Sequence, residues 1–175
     1  MDVTIPKSEF DLTQTLNGVS FVTPSPLGFH QQILGKLFFQ FQLCLQKESL
    51  GAIFTAPLDV ILEKGVNVVQ PDLIYIKNQN LSIFDPNGHI HGIPDLLVEI
   101  ISPGSISRDT VDKFAIYEKY GVSEYWIVFP EQKVVEVFVL KSGKYSLTCS
   151  TENTNGKIIS SAFPNWQLGL EQLFS

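Results

Sequence analysis

Cysteine is scarce in this 175-residue sequence, which contains only Cys44 and Cys149. The two residues do not form a CxxC pair, and they lie in a predicted helix and a predicted strand that are far apart in the chain. We therefore expect two buried thiols in the reducing environment of the cytoplasm rather than a disulfide.

Long apolar segments are also absent. No stretch reaches the roughly 20 apolar residues that a membrane-spanning helix needs, and the first ten residues, MDVTIPKSEF, lack the apolar region of a secretion signal. The sequence has no internal repeat and no low-complexity run, so disorder is expected only at the termini. These absences predict a soluble, cytoplasmic protein that does not bind membranes.

Positive charge is in short supply. Lysine and arginine together number 12, against 18 aspartates and glutamates, which gives a formal net charge of −6. Proteins that coat nucleic acids usually carry a basic surface, so this balance argues against that class. It leaves open a nuclease whose acids are clustered at one site.

Apolar residues, in contrast, make up 44% of the chain. A chain of this length and composition can fill one hydrophobic core but is rather short for two. We therefore expect a single domain over residues 1–175, with residues 1–23 as a peripheral N-terminal segment.

Periodicity predicts the elements of the first half of the chain. Apolar residues recur every three or four positions from Gly28 to Lys47, which indicates a long helix. Shorter apolar runs predict strands, with prolines that imply a bulge or an edge position. These strands are Val19–Val22 after an Asn-Gly turn, Gly51–Leu62 interrupted at Ala56-Pro57, and Val68–Lys77 containing Pro71.

The second half of the chain also contains predicted strands and a predicted helix. A strand over Pro94–Ser102 leads through a loop to a helix over Asp109–Tyr120, which should begin at Ser107 or Asp109 as N-cap and end at Gly121. Further strands follow at Glu124–Phe129, Val134–Leu140, Lys144–Cys149 and near residues 157–161. This order predicts an α/β (α+β) fold in which a mixed β-sheet is flanked by helices and carries extra C-terminal strands.

Glu99 stands out because its strand neighbours are apolar on both sides. A buried carboxylate is costly unless it is paired, protonated or bound to a metal. Asp95 shares its face of the strand but lies roughly 13 Å away, at about 3.3 Å per residue. Asp72, on the preceding strand, is the better partner, because neighbouring strands are only about 5 Å apart.

Two carboxylates on adjacent strands are hard oxygen ligands that suit Mg²⁺ or Mn²⁺. Lys113, on the following helix, could return to this site as an electrostatic helper, or it could be a solvated partner of Asp109. Asp72 and Asp95 each follow a proline and could instead be turn or cap acids. His30, at the start of the first helix, could reach the site or lie on the surface.

Three blocks of sequence resemble a known family. They are VVQPDLIYI, GIPDLLVEIISP and RDTVDKFAIYEKYGVSEYWIVFPEQKVVEVF. They resemble the Uma-type restriction endonucleases of bacteria, which are placed in the PD-(D/E)xK nuclease superfamily. The similarity extends from about Pro24 to the C-terminus, and its specific part is the block from Gln70 to Pro130.

The resemblance implies a restriction-endonuclease-like core and a metal-dependent endonuclease that hydrolyses DNA through a metal-activated water. It implies Asp72 and Glu99 as the metal ligands, with Mg²⁺ or Mn²⁺ as the ion. The superfamily lysine normally follows the second acid by two positions, where this chain has Ile101, so Lys113 becomes the candidate.

The family pattern also implies supporting roles for Asp95, Asp109 and His30. A homodimer is expected, since cutting two strands invites two sites related by a two-fold axis. The alternative is a catalytically inactive domain of the same fold that binds nucleic acid or a protein partner.

Overall fold

A computed structural model describes residues 11–47 and 49–175, so the expectation about the first ten residues lies outside the described part. The strands are β1 Thr13–Leu16, β2 Val19–Val22, β3 Gly51–Thr55, β4 Val60–Glu63, β5 Asn67–Val69, β6 Leu73–Lys77, β7 Ile90–His91, β8 Leu96–Ile100, β9 Glu124–Phe129, β10 Val134–Lys141, β11 Lys144–Ser150, β12 Lys157–Ile159 and β13 Gln167–Gly169. The helices are α1 Gly28–Lys47, α2 Phe114–Tyr120 and α3 Leu170–Phe174, with a 3₁₀-helix at Asn78–Ile83 and a π-helix at Arg108–Lys113.

A six-stranded mixed sheet in the order β11-β10-β9-β8-β6-β3 forms the centre of the fold. Only β8 and β9 run parallel within it, and its other neighbours are antiparallel. A five-stranded sheet in the order β2-β1-β5-β4-β7 and the β12-β13 pair complete the structure. The predicted fold class, a mixed sheet flanked by helices with extra C-terminal strands, is confirmed.

The two faces of the central sheet carry different hydrophobic cores, as the two-residue period of its strands predicts. On β6, Leu73 and Tyr75 pack into the first core, while Ile74 and Ile76 pack into the second. The first core also contains the buried stripe of α1 and residues from α3. The second contains residues from α2 and from the five-stranded sheet.

Two strand predictions are wrong in the same way. Gly51–Leu62 is not one interrupted strand, and Val68–Lys77 is not one strand with a bulge. Each divides at its proline into two strands that belong to different sheets. Proline has no N–H to donate, so a central ladder cannot continue through Pro57 or Pro71, and the chain crosses from one sheet to the other.

The second helix also differs from its prediction at the N-terminus. Neither Ser107 nor Asp109 is an N-cap, because Ser107 already has right-handed helical dihedrals and donates or accepts no capping hydrogen bond. The π-helix runs directly into α2, and Asp109 and Lys113 are both buried within it. The predicted end at Gly121 is confirmed, with a φ of 87° that glycine adopts without strain.

The strand predicted at Val19–Val22 forms as β2, and it pairs with β1 in a hairpin whose turn residues, Asn17 and Gly18, both have positive φ. It occupies the edge of the five-stranded sheet, and Leu16 is buried in the second core. Among the described helices, none combines the length and the apolarity that crossing a membrane requires.

The first core predicts a clear difference between two phenylalanines of α1. Phe41 is fully buried and contacts the rings of Trp126, Phe163 and Trp166, whereas Phe39 is 58% exposed. We expect Phe41→Ala to lower the free energy of unfolding by about 3–5 kcal/mol. Phe39→Ala, the matched control, should change it by less than about 0.5 kcal/mol in urea titrations. Equal effects of the two changes would contradict this account of the core.

Candidate active site

Strands β6 and β8 bring Asp72 and Glu99 together. Leu73 pairs with Val98 in the antiparallel register, so the next position along sets Asp72 opposite Glu99. The backbone N–H of Ile100 donates to Asp72 Oδ2 at 2.7 Å, which ties the acid that precedes β6 to the end of β8. Asp72 and Glu99 are thus neighbours across adjacent chain segments, and both line one cavity.

Glu99 is held by two donors from the following helical segment. Lys113 Nζ and the Tyr117 hydroxyl each donate to Glu99 Oε1 at 2.8 Å. Lys113 is only 3% exposed, and its Nζ also lies 3.4 Å from Asp109 Oδ1. Lys113 is thus a partner of Asp109, but it is buried and it also contacts Glu99 on β8. The open alternative of a solvated pair is excluded.

The charges of this group depend on one another. Burial raises the pKa of Glu99 to about 8, and the charge of Lys113 opposes that rise. Burial by itself lowers the pKa of Lys113, but Glu99 and Asp109 more than offset it, so the pKa lies above its ordinary value. Burial also raises the pKa of Tyr117 well above its ordinary value, so its hydroxyl stays a donor. The ammonium of Lys113 is therefore what favours the ionised form of Glu99.

His30 contacts the other carboxylate. Its Nε2 lies 3.1 Å from Asp72 Oδ2, and its side chain is only 10% exposed. Its Nδ1 is buried and is the one buried side-chain nitrogen or oxygen in the described residues without a hydrogen-bond partner. His30 is therefore not a surface residue, and α1 supplies a group that fixes the orientation of Asp72.

The two strand acids fit a hard divalent ion as a minimal ligand set. No hydrogen bond within residues 11–47 and 49–175 ends on Asp72 Oδ1 or Glu99 Oε2, so each carboxylate keeps one oxygen available. No group of three or more His, Cys, Asp and Glu side chains in those ranges is arranged to hold an ion. Two carboxylates are a ligand number that Mg²⁺ accepts, since it commonly takes one or two and keeps several waters.

A cavity of about 790 Å³ gives access to these groups. Asp72, Glu99, Asp109, Lys113 and His30 all line it. The remaining walls come from the N-terminal segment around the hairpin and from the loop and π-helix that follow β8. Representative lining residues are Leu12, Gln14, Thr23, Pro26, Ser102, Ser105 and Arg108.

Asp95 and Ile101 lie apart from this group. Asp95 accepts hydrogen bonds from the backbone N–H of Lys77 and from the amide of Asn80, and it does not line the cavity. Asp95 therefore ties the end of β6 to the 3₁₀-helix through residues 15 and 18 positions away, which is not the turn or cap role beside Pro94 that was the alternative for it. Ile101, at the position of the superfamily lysine, is buried in the second core.

Sequence reasoning missed Tyr117, although a signal for it is present. Asp109, Lys113 and Tyr117 follow one another at intervals of four residues, which places them on one side of a helical segment. The Tyr125 hydroxyl, from β9, donates to the carbonyl of Asp109 and could not be found by any local spacing.

Comparison with known proteins agrees with this geometry. No functionally curated protein shows significant similarity to the chain. Residues 6–171, however, match the model of the family described as "Uma2: Putative restriction endonuclease". The chain belongs to the Uma2 family. The family resemblance noted from the sequence is confirmed over almost the whole chain.

A solved structure shares the Uma2-type fold seen here. It is described as that of "a putative nuclease belonging to DUF820 from Anabaena variabilis ATCC 29413". The two proteins are 18% identical, and the match covers 93% of this chain and 89% of that chain with a TM-score of 0.74. The shared architecture supports the restriction-endonuclease-like assignment of the fold.

The buried ion pair leads to a stability prediction. We expect Lys113→Met to lower the free energy of unfolding by about 3 kcal/mol at pH 9, above the Glu99 pKa of about 8, because it leaves that carboxylate buried without its cation. Adding Glu99→Gln should recover at least half of that loss, since the uncompensated charge is then gone. Urea unfolding of the single and double variants measures both effects.

A surface pair supplies the control. Lys144 Nζ donates to Glu118 at 2.7 Å, nearly the same distance, but Lys144 is 81% exposed. Lys144→Met should cost less than about 1 kcal/mol. If Lys113→Met costs no more than Lys144→Met, the Glu99 pair does not have the importance assigned to it.

Proposed function

We propose that this protein is a Mg²⁺- or Mn²⁺-dependent nuclease that hydrolyses DNA phosphodiester bonds. One observation carries the proposal. Asp72, just before β6, and Glu99, on the adjacent β8, line one cavity, and the ammonium of Lys113 contacts Glu99 at 2.8 Å. The family to which the chain belongs is described as one of restriction endonucleases, which supports the same reaction class.

Asp72 and Glu99 would hold the ion through Oδ1 and Oε2, the oxygens that accept no hydrogen bond from the described residues. The chemistry supplied by such an ion is a lower pKa for an attacking water and neutralisation of negative charge on the phosphate. His30 and the N–H of Ile100 hold Asp72 through Oδ2, and Lys113 and Tyr117 hold Glu99 through Oε1. Each acid is thus fixed on one oxygen and free on the other.

In this proposal Lys113 supplies the ammonium that the conserved-position lysine supplies in the superfamily. Ile101 occupies the usual position, and an ammonium from the π-helix reaches the same acid from the next element of the chain. A preorganised positive charge at that place stabilises charge that develops on the phosphate in the transition state. Asp109, 3.4 Å from Lys113 Nζ, would keep the ammonium in position.

Substitution of the two strand acids tests the proposal. We expect Asp72→Asn and Glu99→Gln each to reduce metal-dependent DNA cleavage by about 10²-fold or more, because each replaces a carboxylate ligand by an amide, which binds a divalent ion more weakly. Asp95→Asn is the matched control: it changes a buried acid that lies outside the cavity and should leave cleavage unchanged in variants that are folded by circular dichroism.

The assay should cover single-stranded DNA, duplex DNA and RNA with Mg²⁺, Mn²⁺ and EDTA. Calorimetric titration with Mn²⁺ should show binding to the wild type and to Asp95→Asn, and weaker binding to the two site variants. Cleavage that survives in Glu99→Gln would contradict the assignment.

A binding module of the same fold is the second candidate. Two donors already occupy Glu99 Oε1, and Ile101 stands where the superfamily has its lysine, which together favour a site that no longer turns over. A wild-type protein that cleaves no nucleic acid and binds no Mn²⁺, but retains affinity for DNA or a protein, would support this candidate over the enzyme.

We further propose that the active form is a homodimer, since a two-fold axis would offer one site to each strand of a duplex. Light scattering on a size-exclusion column should give twice the chain mass of 19.6 kDa. A monomer that cleaves both strands at the same rate per chain at all concentrations would contradict the dimer.

A further inference from the structure

Arg108 is the only arginine in the sequence, and it lines the cavity that contains the two strand acids. It begins the π-helix and directly precedes Asp109, whose carboxylate contacts Lys113. Its side chain is half-buried, so it can still meet a molecule that enters the cavity. Arg108 therefore places a guanidinium in the same cavity as the acids of the site.

Phe21 holds this guanidinium in place. The central carbon of the Arg108 guanidinium lies 4.1 Å from the centre of the Phe21 ring, the geometry of a cation–π contact. Phe21 belongs to β2 and packs against the second core, so the ring itself is anchored. A guanidinium that rests on a ring by one face still presents N–H groups along its edges, which can form a bidentate contact with an oxyanion.

The other basic side chains of the cavity already have acidic partners. Lys113 contacts Glu99 and Asp109, and His30 contacts Asp72. Within the part of the chain that the structure describes, Arg108 forms no ion pair with an acid, and its guanidinium donates no hydrogen bond. Arg108 is therefore the one cavity-lining cation, among the described residues, whose charge is available to a ligand.

We propose that Arg108 binds a phosphate group of the nucleic-acid substrate and that Phe21 is its positioning residue. This proposal rests on the proposed function, from which it takes a nucleic acid as the substrate. A phosphodiester oxyanion matches the free N–H edges of the guanidinium in charge and in planar geometry. In a protein with a net charge of −6, such a contact gives the substrate a local attraction that the surface as a whole does not provide.

Binding and cleavage of labelled 20-nucleotide single strands and duplexes test this role. Arg108→Ala should weaken binding by about tenfold or more, as expected for loss of a hydrogen-bonded charge pair. It should also lower the slope of log affinity against log salt by about one. Arg108→Lys should recover only part of the affinity, since it keeps the charge but loses the planar fork.

Lys157→Ala is the matched control, since it removes one positive charge from an exposed residue that does not line the cavity. It should leave affinity and salt slope unchanged. If Lys157→Ala weakens binding as much as Arg108→Ala, the effect is one of overall charge and the proposal is overturned.

The two proposals fail in different ways in this experiment. Wild-type cleavage that is unaffected by Arg108→Ala would overturn the role of Arg108 and leave the nuclease intact. Binding that depends on Arg108 without any cleavage would support Arg108 and contradict the enzyme. A wild type that neither binds nor cleaves these oligonucleotides would overturn both.

Two substitutions of Phe21 test its positioning role. Phe21→Tyr keeps an aromatic face beneath the guanidinium and should preserve affinity and cleavage. Phe21→Leu keeps an apolar side chain in the second core but removes that face, and it should raise KM more than it lowers kcat. Equal behaviour of the two variants would overturn the assignment of Phe21.

Discussion

The contact between Glu99 and Lys113 is the interaction on which the site depends. Two charges removed from water in this way would be costly if they were alone, because each loses its hydration. The structure offsets that cost with the Tyr117 hydroxyl on Glu99 and the Asp109 carboxylate beside Lys113. All four side chains are buried, so the helical segment after β8 is held to the strand by a polar network rather than by apolar packing alone.

The cavity exists because the chain moves between two sheets. Pro57 and Pro71 end the ladders of β3 and β5, and the strands on either side of each proline enter different sheets. Asp72 follows the second of these crossings and comes just before β6, where its backbone carbonyl accepts the N–H of Ala56. Its carboxylate accepts the N–H of Ile100 and contacts His30 of α1. The same crossing sets the N-terminal segment along the wall of the cavity.

Much of this arrangement could be predicted from local patterns. The two-residue period correctly assigned the faces of β6 and β8, and the apolar neighbours of Glu99 marked it as a buried charge that needs a partner. The rest depends on contacts between residues far apart in the chain. The contact of His30 with Asp72 spans 42 positions, and the π-helix follows from burying Asp109 and Lys113 together, which no capping rule describes.

In the proposed enzyme, Asp72 and Glu99 each offer one oxygen to the same divalent ion. The most direct test is a crystal structure of the protein grown with Mn²⁺, with anomalous scattering used to locate the metal. We predict one peak within about 2.0–2.3 Å of Asp72 Oδ1 and Glu99 Oε2, with Lys113 still bound to Glu99 Oε1. A metal bound elsewhere, or a saturated crystal with no peak between these acids, would contradict the account.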